Sequence, residues 1–113
     1  RVKIFEIDML ANEYGREYVL GMNDLHNHAC YMVYGVLGPN EADRLVKPGS
    51  GHEEILVPVT GPVHVTSERD DFVLEKGNAV HIKEDQSFFI SNKTDQQVIY
   101  VLAGGHAGGH HHH

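Results

Sequence analysis

The chain has 113 residues, 41% of them apolar and 22% charged, which is the length and composition of one globular domain. Sixteen acidic residues against nine basic residues give a net charge of −7, which disfavours binding to nucleic acid or to an anionic membrane surface. With one cysteine, Cys30, and no apolar run long enough to span a bilayer, we expect a soluble, cytoplasmic protein without an intrachain disulfide.

Turn residues divide the chain at short intervals, and the segments between them are rich in Val, Ile, Tyr and Phe, which is typical of strands. Only residues 8–15, DMLANEYG, favour a helix, because Asp8 can cap its start and Gly15 can end it. The remaining pattern predicts strands at 2–7, 17–20, 29–37, 43–46, 53–59, 63–67, 72–75, 79–83, 87–91 and 96–103. Many short strands of this kind predict a β-sandwich or a β-barrel.

Three joints in the second half of the chain have the composition of turns. Residues 67–71, SERDD, predict a polar hairpin, and residues 75–78 predict a turn in which Gly77 is free to adopt a positive φ. Residues 91–95 form the third joint. We therefore expect a meander of antiparallel pairs from about residue 53 to residue 103.

Two spacings in this half match sequence motifs of a known family. Glu54 is followed by six residues and Gly61, which fits the end of a motif G-x5-H-x-H-x3,4-E-x6-G, and Gly77 and Asn92 are separated as the ends of G-x5-P-x-G-x2-H-x3-N require. With these four positions in register, residues 30–103 resemble the cupin superfamily. The resemblance implies an all-β fold, a double-stranded β-helix or jelly-roll barrel. Residues 1–103 would form this single domain, with extra strands at the N-terminus.

The same resemblance implies a metal site, but the positions of its histidines are occupied by other residues. Counting back from Glu54, the first motif places Pro48 and Ser50 where two histidines belong, and the second places Phe88 at the third. One carboxylate is too few ligands for a catalytic divalent metal, which needs about three. A metal in the barrel would require other ligands, and without one the apolar Phe88 and Leu56 would suit a partly apolar small molecule.

Substitute ligands are offered by the segment DLHNHACYMVY, residues 24–34. It places His26, His28, Cys30, Met32 and Tyr34 at alternate positions, so a continuous strand would bring all five to one face. In cupins this strand contributes a wall of the ligand cavity, which implies a cavity lined by Glu54, Leu56, Phe88, Met32 and Tyr34. The alternative interpretation is an exposed polar loop that contains His26 and His28.

His52 lies two residues before Glu54 and is a further candidate ligand. A site built from Glu54, His52, His26 and His28 would suit Zn, Ni, Fe or Mn. Glu54 could instead be a buried carboxylate paired with a neighbour, and a histidine partner would make the pair a candidate general acid and base. His64 and His81 lie within strands, and we interpret both as sheet residues rather than ligands.

Residues 104–113, GGHAGGHHHH, are predicted to be a tail outside the barrel, either natural or the remainder of an affinity tag. Its histidines, His106, His110, His111, His112 and His113, would bind nickel, zinc or copper in either case. Such binding would not reveal what the barrel does.

Three functions are compatible with these observations. We favour a barrel that binds a small molecule and whose metal site is degenerate or absent. The alternatives are a metal-dependent isomerase, decarboxylase or dioxygenase that uses Glu54 with histidines outside the motifs, and a metal-handling protein that acts through its tail. The apolar segments VKIFEI and YVLG would leave exposed strand edges on a small barrel, so we also expect a homodimer.

Overall fold

The computed structural model describes residues 2–107, which form two antiparallel sheets and two short helices. The helices are α1 (Ile7–Glu13) and α2 (Met22–Leu25). The strands are β1 (Glu17–Leu20), β2 (Cys30–Leu37), β3 (Arg44–Val46), β4 (His52–Pro58), β5 (Val63–Thr66), β6 (Asp71–Leu74), β7 (Val80–Ile82), β8 (Phe88–Ser91) and β9 (Val98–His106). Neither helix is long and apolar enough to cross a membrane, a finding limited to this described part of the chain.

The two sheets pack their apolar faces against each other, so the predicted double-sheeted, all-β architecture is confirmed. One sheet has the strand order β1-β2-β9-β4-β7 and the other has the order β3-β8-β5-β6. Successive side chains of a strand point to opposite faces of its sheet, so alternate residues enter the shared core. Directly opposite residues on neighbouring strands share a face. The buried core residues include Val33, Leu37, Val46, Leu56, Val63, Val65, Leu74, Ile82, Phe88, Ile90, Val98, Tyr100 and Leu102.

The predicted meander is wrong, because the chain crosses between the sheets instead of pairing each strand with the next. Only β5 and β6 form the expected hairpin, with Val63 opposite Leu74 and Thr66 opposite Asp71. The turn after β6 carries the chain back to the first sheet. Gly77 there has a φ of +85°, as predicted, and its N–H donates to the carbonyl of Pro58 at the end of β4.

The N-terminal prediction is correct for the helix and wrong for the first strand. Residues 2–6 pair with no described strand, and the side chains of Val2 and Ile4 are 87% and 83% exposed. The helix begins at Ile7, so Asp8 lies inside its first turn and does not cap it. Gly15 follows the helix with a φ of +83°, in agreement with its predicted role.

A second motif position, Asn92, explains how the chain returns from β8 to β9. Its buried side-chain amide donates to the carbonyls of Gly38 at 2.9 Å and Gln96 at 2.6 Å, and its Oδ1 accepts from the backbone N–H and the hydroxyl of Thr94. One side chain thus satisfies backbone groups of two loops. This accounts structurally for an asparagine at the end of the motif.

In the five-stranded sheet, a tyrosine ring lies over a glycine of the neighbouring strand. Tyr100 of β9 is directly opposite Gly35 of β2, and its ring occupies the space that a Cβ on Gly35 would need. The phenol donates to Glu17 Oε2 of β1 at 2.7 Å and accepts from Arg44 at 3.1 Å. The fully buried Tyr100 therefore ties β1, β2 and β3 to β9.

We predict that Gly35→Ala destabilises the protein by about 1–3 kcal/mol, because the added methyl group displaces the Tyr100 ring from a packed core. Chemical denaturation monitored by circular dichroism measures this change. Gly105→Ala is the matched control. Gly105 lies in the same sheet, and a Cβ on it would meet no atom closer than 3.9 Å. Equal losses in the two variants would contradict the steric role assigned to Gly35.

Candidate functional site

A cavity of about 440 Å³ lies between the sheets at the end of the barrel where β2 and β4 begin. Residues from both sheets and from the loops before β2 and β4 line it. They are Glu17, Val19, Gly21, Met22, Asn27, His28, Cys30, Tyr31, Val33, Leu45, Val46, Lys47, Gly49, His52, Glu54 and Leu102. The cavity therefore combines an apolar wall with a small set of polar groups, which is typical of small-molecule sites.

Glu54 is the buried polar group at this cavity, with 6% of its surface exposed. It lies in β4 between Ile82 of β7 and Gly104 of β9, on the inner face of the sheet. Its Oε2 accepts a hydrogen bond from the hydroxyl of Tyr31. Its Oε1 is buried and has no hydrogen-bond partner among residues 2–107. A buried acceptor without a partner costs about 1–3 kcal/mol, so this oxygen marks unused binding capacity.

Tyr31 reaches Glu54 by crossing over Gly104. Tyr31 and Gly104 are directly opposite in the β2–β9 ladder, and the Tyr31 ring fills the space where a Cβ on Gly104 would stand. Burial raises the pKa of the Tyr31 phenol, and its hydrogen bond to Glu54 raises this pKa further. Tyr31 is consequently a neutral hydrogen-bond donor at physiological pH. The predicted neighbour of Glu54 is thus present, but it is a tyrosine and not His52 or His28.

His52 lies at the rim, where its ring packs edge-on against Tyr31 with 5.5 Å between ring centroids. Its Nδ1 is 2.9 Å from the carbonyl oxygen of Ser50, and since a carbonyl can only accept, Nδ1 carries the proton. In this tautomer Nε2 is the acceptor nitrogen of the ring. The His52 ring also stacks on the ring of His106, with centroids 5.4 Å apart.

The segment that contains His26 and His28 is a loop and not part of a strand. The helix α2 ends at His26 in the left-handed conformation with a φ of +60°, and β2 starts only at Cys30. Both histidines are exposed, and His28 but not His26 lines the cavity. The prediction of one continuous five-residue stripe is therefore wrong, and the alternative of a polar loop is correct.

The inner face of β2 is also the opposite of the predicted face. Met32 and Tyr34 lie opposite Ala103 and Val101 on the outer face of the sheet, and neither lines the cavity. The inward residues are Tyr31, Val33, Gly35 and Leu37, because the buried Val33 and Leu37 fix the alternation. Met32 and Tyr34 are thus removed from the predicted cavity set.

Leu56 and Phe88 do point inward, but they belong to the packed core and do not line the cavity. Leu56 is fully buried and Phe88 is 5% exposed. Of the five predicted cavity residues, Glu54 alone borders this cavity. His64 and His81 lie on outer sheet faces, where they contact Asp71 and Glu53 at 2.5 and 2.7 Å.

The predicted metal ligands do not form a shell. Within residues 2–107, no group of three or more His, Cys, Asp or Glu side chains is placed to hold a metal ion. Glu54 therefore does not share a ligand set with His52, His26 and His28. The donors present do not fit the metal that the family resemblance implies, and we derive no chemistry from such a metal.

The start of the predicted tail belongs to the barrel. Strand β9 continues through His106, which lies opposite His52 in the β4–β9 ladder, and its Nε2 donates to the carbonyl of His28 at 2.9 Å. The predicted boundary after residue 103 is therefore too early. The other predicted tail ligands, His110, His111, His112 and His113, lie outside the described residues.

Alkaline pH should weaken the fold through the partly buried Tyr31 and the buried Tyr100. Burial and a carboxylate neighbour raise the pKa of both Tyr31 and Tyr100, whereas tyrosines of the unfolded chain titrate near pH 10. Above about pH 10 the unfolded state loses protons that the folded state keeps, so the free energy of unfolding falls as pH rises.

Urea denaturation between about pH 8 and pH 11 measures this decline. We expect a shallower decline in Tyr31→Phe, which lacks one of the two linked phenols. The same slope in this variant as in the unsubstituted protein would contradict the assignment.

No known sequence-family model and no curated protein matches the chain, but solved structures do. A cupin protein from Bacteroides fragilis superposes with a TM-score of 0.70 at 16% identity, over 100% of this chain and 88% of that chain. A protein with a double-stranded β-helix domain from Klebsiella pneumoniae gives 0.68 at 17%, over 96% and 93%. A predicted oxalate decarboxylase from Thermotoga maritima gives 0.65 at 18%, over 80% of each chain.

These identities are too low to transfer a ligand or a reaction, and the likeness concerns the fold. This likeness agrees with the two antiparallel sheets, between which the chain crosses repeatedly, and with the motif positions Glu54, Gly61, Gly77 and Asn92. The chain therefore has the cupin fold, the double-stranded β-helix.

Proposed function

We propose that this protein binds a small molecule in the cavity beside Glu54, with no metal held by the usual cupin ligands. The observation that carries the proposal is the buried Glu54 Oε1, which has no partner within the described residues and belongs to a side chain at the cavity wall. A ligand that supplies a hydrogen bond to this carboxylate would remove the cost of the unsatisfied acceptor.

The apolar wall supports the same proposal. Val33, Val46 and Leu102 line the cavity and are almost fully buried, so they would contact the body of a ligand and contribute through removal of apolar surface from water. The polar side chains of Glu54, Tyr31 and His52 lie beside one another in this lining. A ligand with one polar end and an apolar body fits this division.

The two alternative functions receive less support. A metal-dependent enzyme would need about three ligands, and Glu54 is the one motif ligand that the sequence retains. Metal handling by the tail would depend on residues outside the described range. Because the cupin fold alone does not imply a reaction, we do not propose one.

A cavity-blocking substitution tests the proposal. Val19 lines the cavity from the edge strand β1 and is 53% exposed, so Val19→Trp should fill the entrance without overpacking the core. Val73→Trp is the control, because Val73 is 55% exposed in β6 and does not line the cavity.

We expect 2-phenylethanol, cyclohexylmethanol or indole to shift the NMR signals of Val33 and Leu102 at millimolar concentration. These shifts should persist in Val73→Trp and disappear in Val19→Trp. Unchanged spectra with all three probes would contradict the proposed function.

We also propose that the protein is a homodimer. The strand β1 forms one edge of the five-stranded sheet, and the apolar Val2 and Ile4 are exposed although they form no strand. Pairing with a second copy would cover this edge and these side chains.

Sedimentation velocity at micromolar concentration should give twice the mass of the chain. Ile4→Lys is expected to weaken this association, whereas Val73→Lys, which introduces the same charge at another exposed apolar position, should leave it unchanged. A monomer in the unsubstituted protein would overturn the proposal.

A further inference from the structure

We propose that the ligand of this cavity is a cationic hydrogen-bond donor, an organic ammonium group attached to an apolar body, with Glu54 as its counter-charge. This inference rests on the proposed function and specifies its ligand class. It follows from two features of the cavity: a carboxylate without an ion-pair partner, and hydrogen-bond acceptors without a donor.

No protein cation forms an ion pair with the cavity carboxylates within the described residues. The ion pairs among residues 2–107 are Arg44–Glu41, His64–Asp71 and His81–Glu53. None of them includes Glu54 or Glu17, and Lys47 lines the cavity without pairing with either. A buried carboxylate is strongly disfavoured without a countercharge or a full set of donors, so a bound cation would compensate it.

The hydrogen-bonding groups beside Glu54 have lone pairs to offer a ligand. The single hydroxyl hydrogen of Tyr31 is donated to Glu54, so the phenol oxygen has only lone pairs left for a ligand. His52 donates its Nδ1–H to the carbonyl of Ser50, so Nε2 is the acceptor in the tautomer that this contact selects. Together with Glu54 Oε1, these are three acceptors, and Lys47 and Asn27 line the cavity beside them. A carboxylate or phosphate placed against these three acceptors would meet lone pairs and like charge, whereas an ammonium group supplies three donors.

The Glu54 carboxylate can turn toward the cavity, and an aromatic ring lies beside it. The last torsion of a glutamate is soft, so a small rotation can turn the unpartnered oxygen toward the cavity. The Tyr31 ring beside it offers a π face that attracts cations. A hydrogen bond from an ammonium group to the Glu54 carboxylate is charge-assisted, and such bonds are about twice as strong as neutral ones. A neutral hydroxyl would satisfy the acceptors, but it would leave the charge uncompensated.

Three probes of similar size separate the ligand classes: 2-phenylethylamine, 2-phenylethanol and 3-phenylpropionate. NMR titration of the full chain at pH 7.5 and low salt should give the amine an affinity about tenfold higher than the alcohol, with no measurable binding of the carboxylate. In Glu54→Gln the ratio between amine and alcohol should fall to about one. Glu53→Gln is the matched control, because it removes the same charge from the next residue of β4, which faces the outer side of the sheet beside His81.

The outcomes distinguish the two proposals. Equal affinities for amine and alcohol, with shifts at Val33 and Leu102, would overturn the cationic ligand and leave the proposed function intact. An amine preference that is the same in Glu54→Gln and Glu53→Gln would also overturn it. If no probe binds, the proposed function itself fails.

A measurement on the unsubstituted protein covers the case in which Glu54→Gln does not fold. Raising the salt concentration should weaken the binding of the amine but not that of the alcohol, because salt screens only the charged pair. Parallel salt dependence of the two probes would overturn the inference.

Discussion

Two tyrosine rings that lie over glycines hold the inner face of the five-stranded sheet together, and the cavity depends on them. Tyr31 of β2 crosses Gly104 of β9 and reaches Glu54 of β4. Tyr100 of β9 crosses Gly35 of β2 in the opposite direction and reaches Glu17 of β1. Each ring thus bridges three strands and ends on a carboxylate. The crossings are possible because neither glycine has a Cβ, so a ring can lie flat against the backbone of the neighbouring strand.

The sequence positions that predicted the fold are those with a strict backbone requirement. Gly77 adopts a positive φ in the turn that returns the chain to the first sheet. Asn92 uses its amide to satisfy carbonyls of two loops. Such requirements are local, so they fix spacings that can be recognised in the sequence. The nine strands predicted after residue 16 are all present, although the last one extends to His106 and not to residue 103. The order of strands within the sheets depends on long-range pairing, and the meander prediction failed for that reason.

The site was predicted less well, because it depends on which face of β2 points inward. Both alternate sets of this strand are largely apolar, so composition does not distinguish them, and a shift by one residue exchanges the two faces. A usable signal was nevertheless present. Residues 31–35, YMVYG, and residues 100–104, YVLAG, share the spacing Y-x3-G, and antiparallel pairing of the two segments places each tyrosine opposite the other's glycine. The assignment of Gly104 to a tail concealed this match.

Tyr31 differs from a metal as a partner of Glu54, because it supplies a hydrogen bond but no positive charge. In the family that the motifs resemble, a glutamate at the position of Glu54 shares a metal, whose positive charge balances the carboxylate. Tyr31 supplies a hydrogen bond in that place but no charge, and its raised pKa keeps it neutral. It satisfies one oxygen of Glu54 and leaves the other buried without a partner. Among the described residues this oxygen therefore retains the cost of a buried, unsatisfied acceptor, which an additional donor would relieve. Any molecule that supplies this donor stabilises the folded state as it binds, so ligand affinity and fold stability are coupled at Glu54.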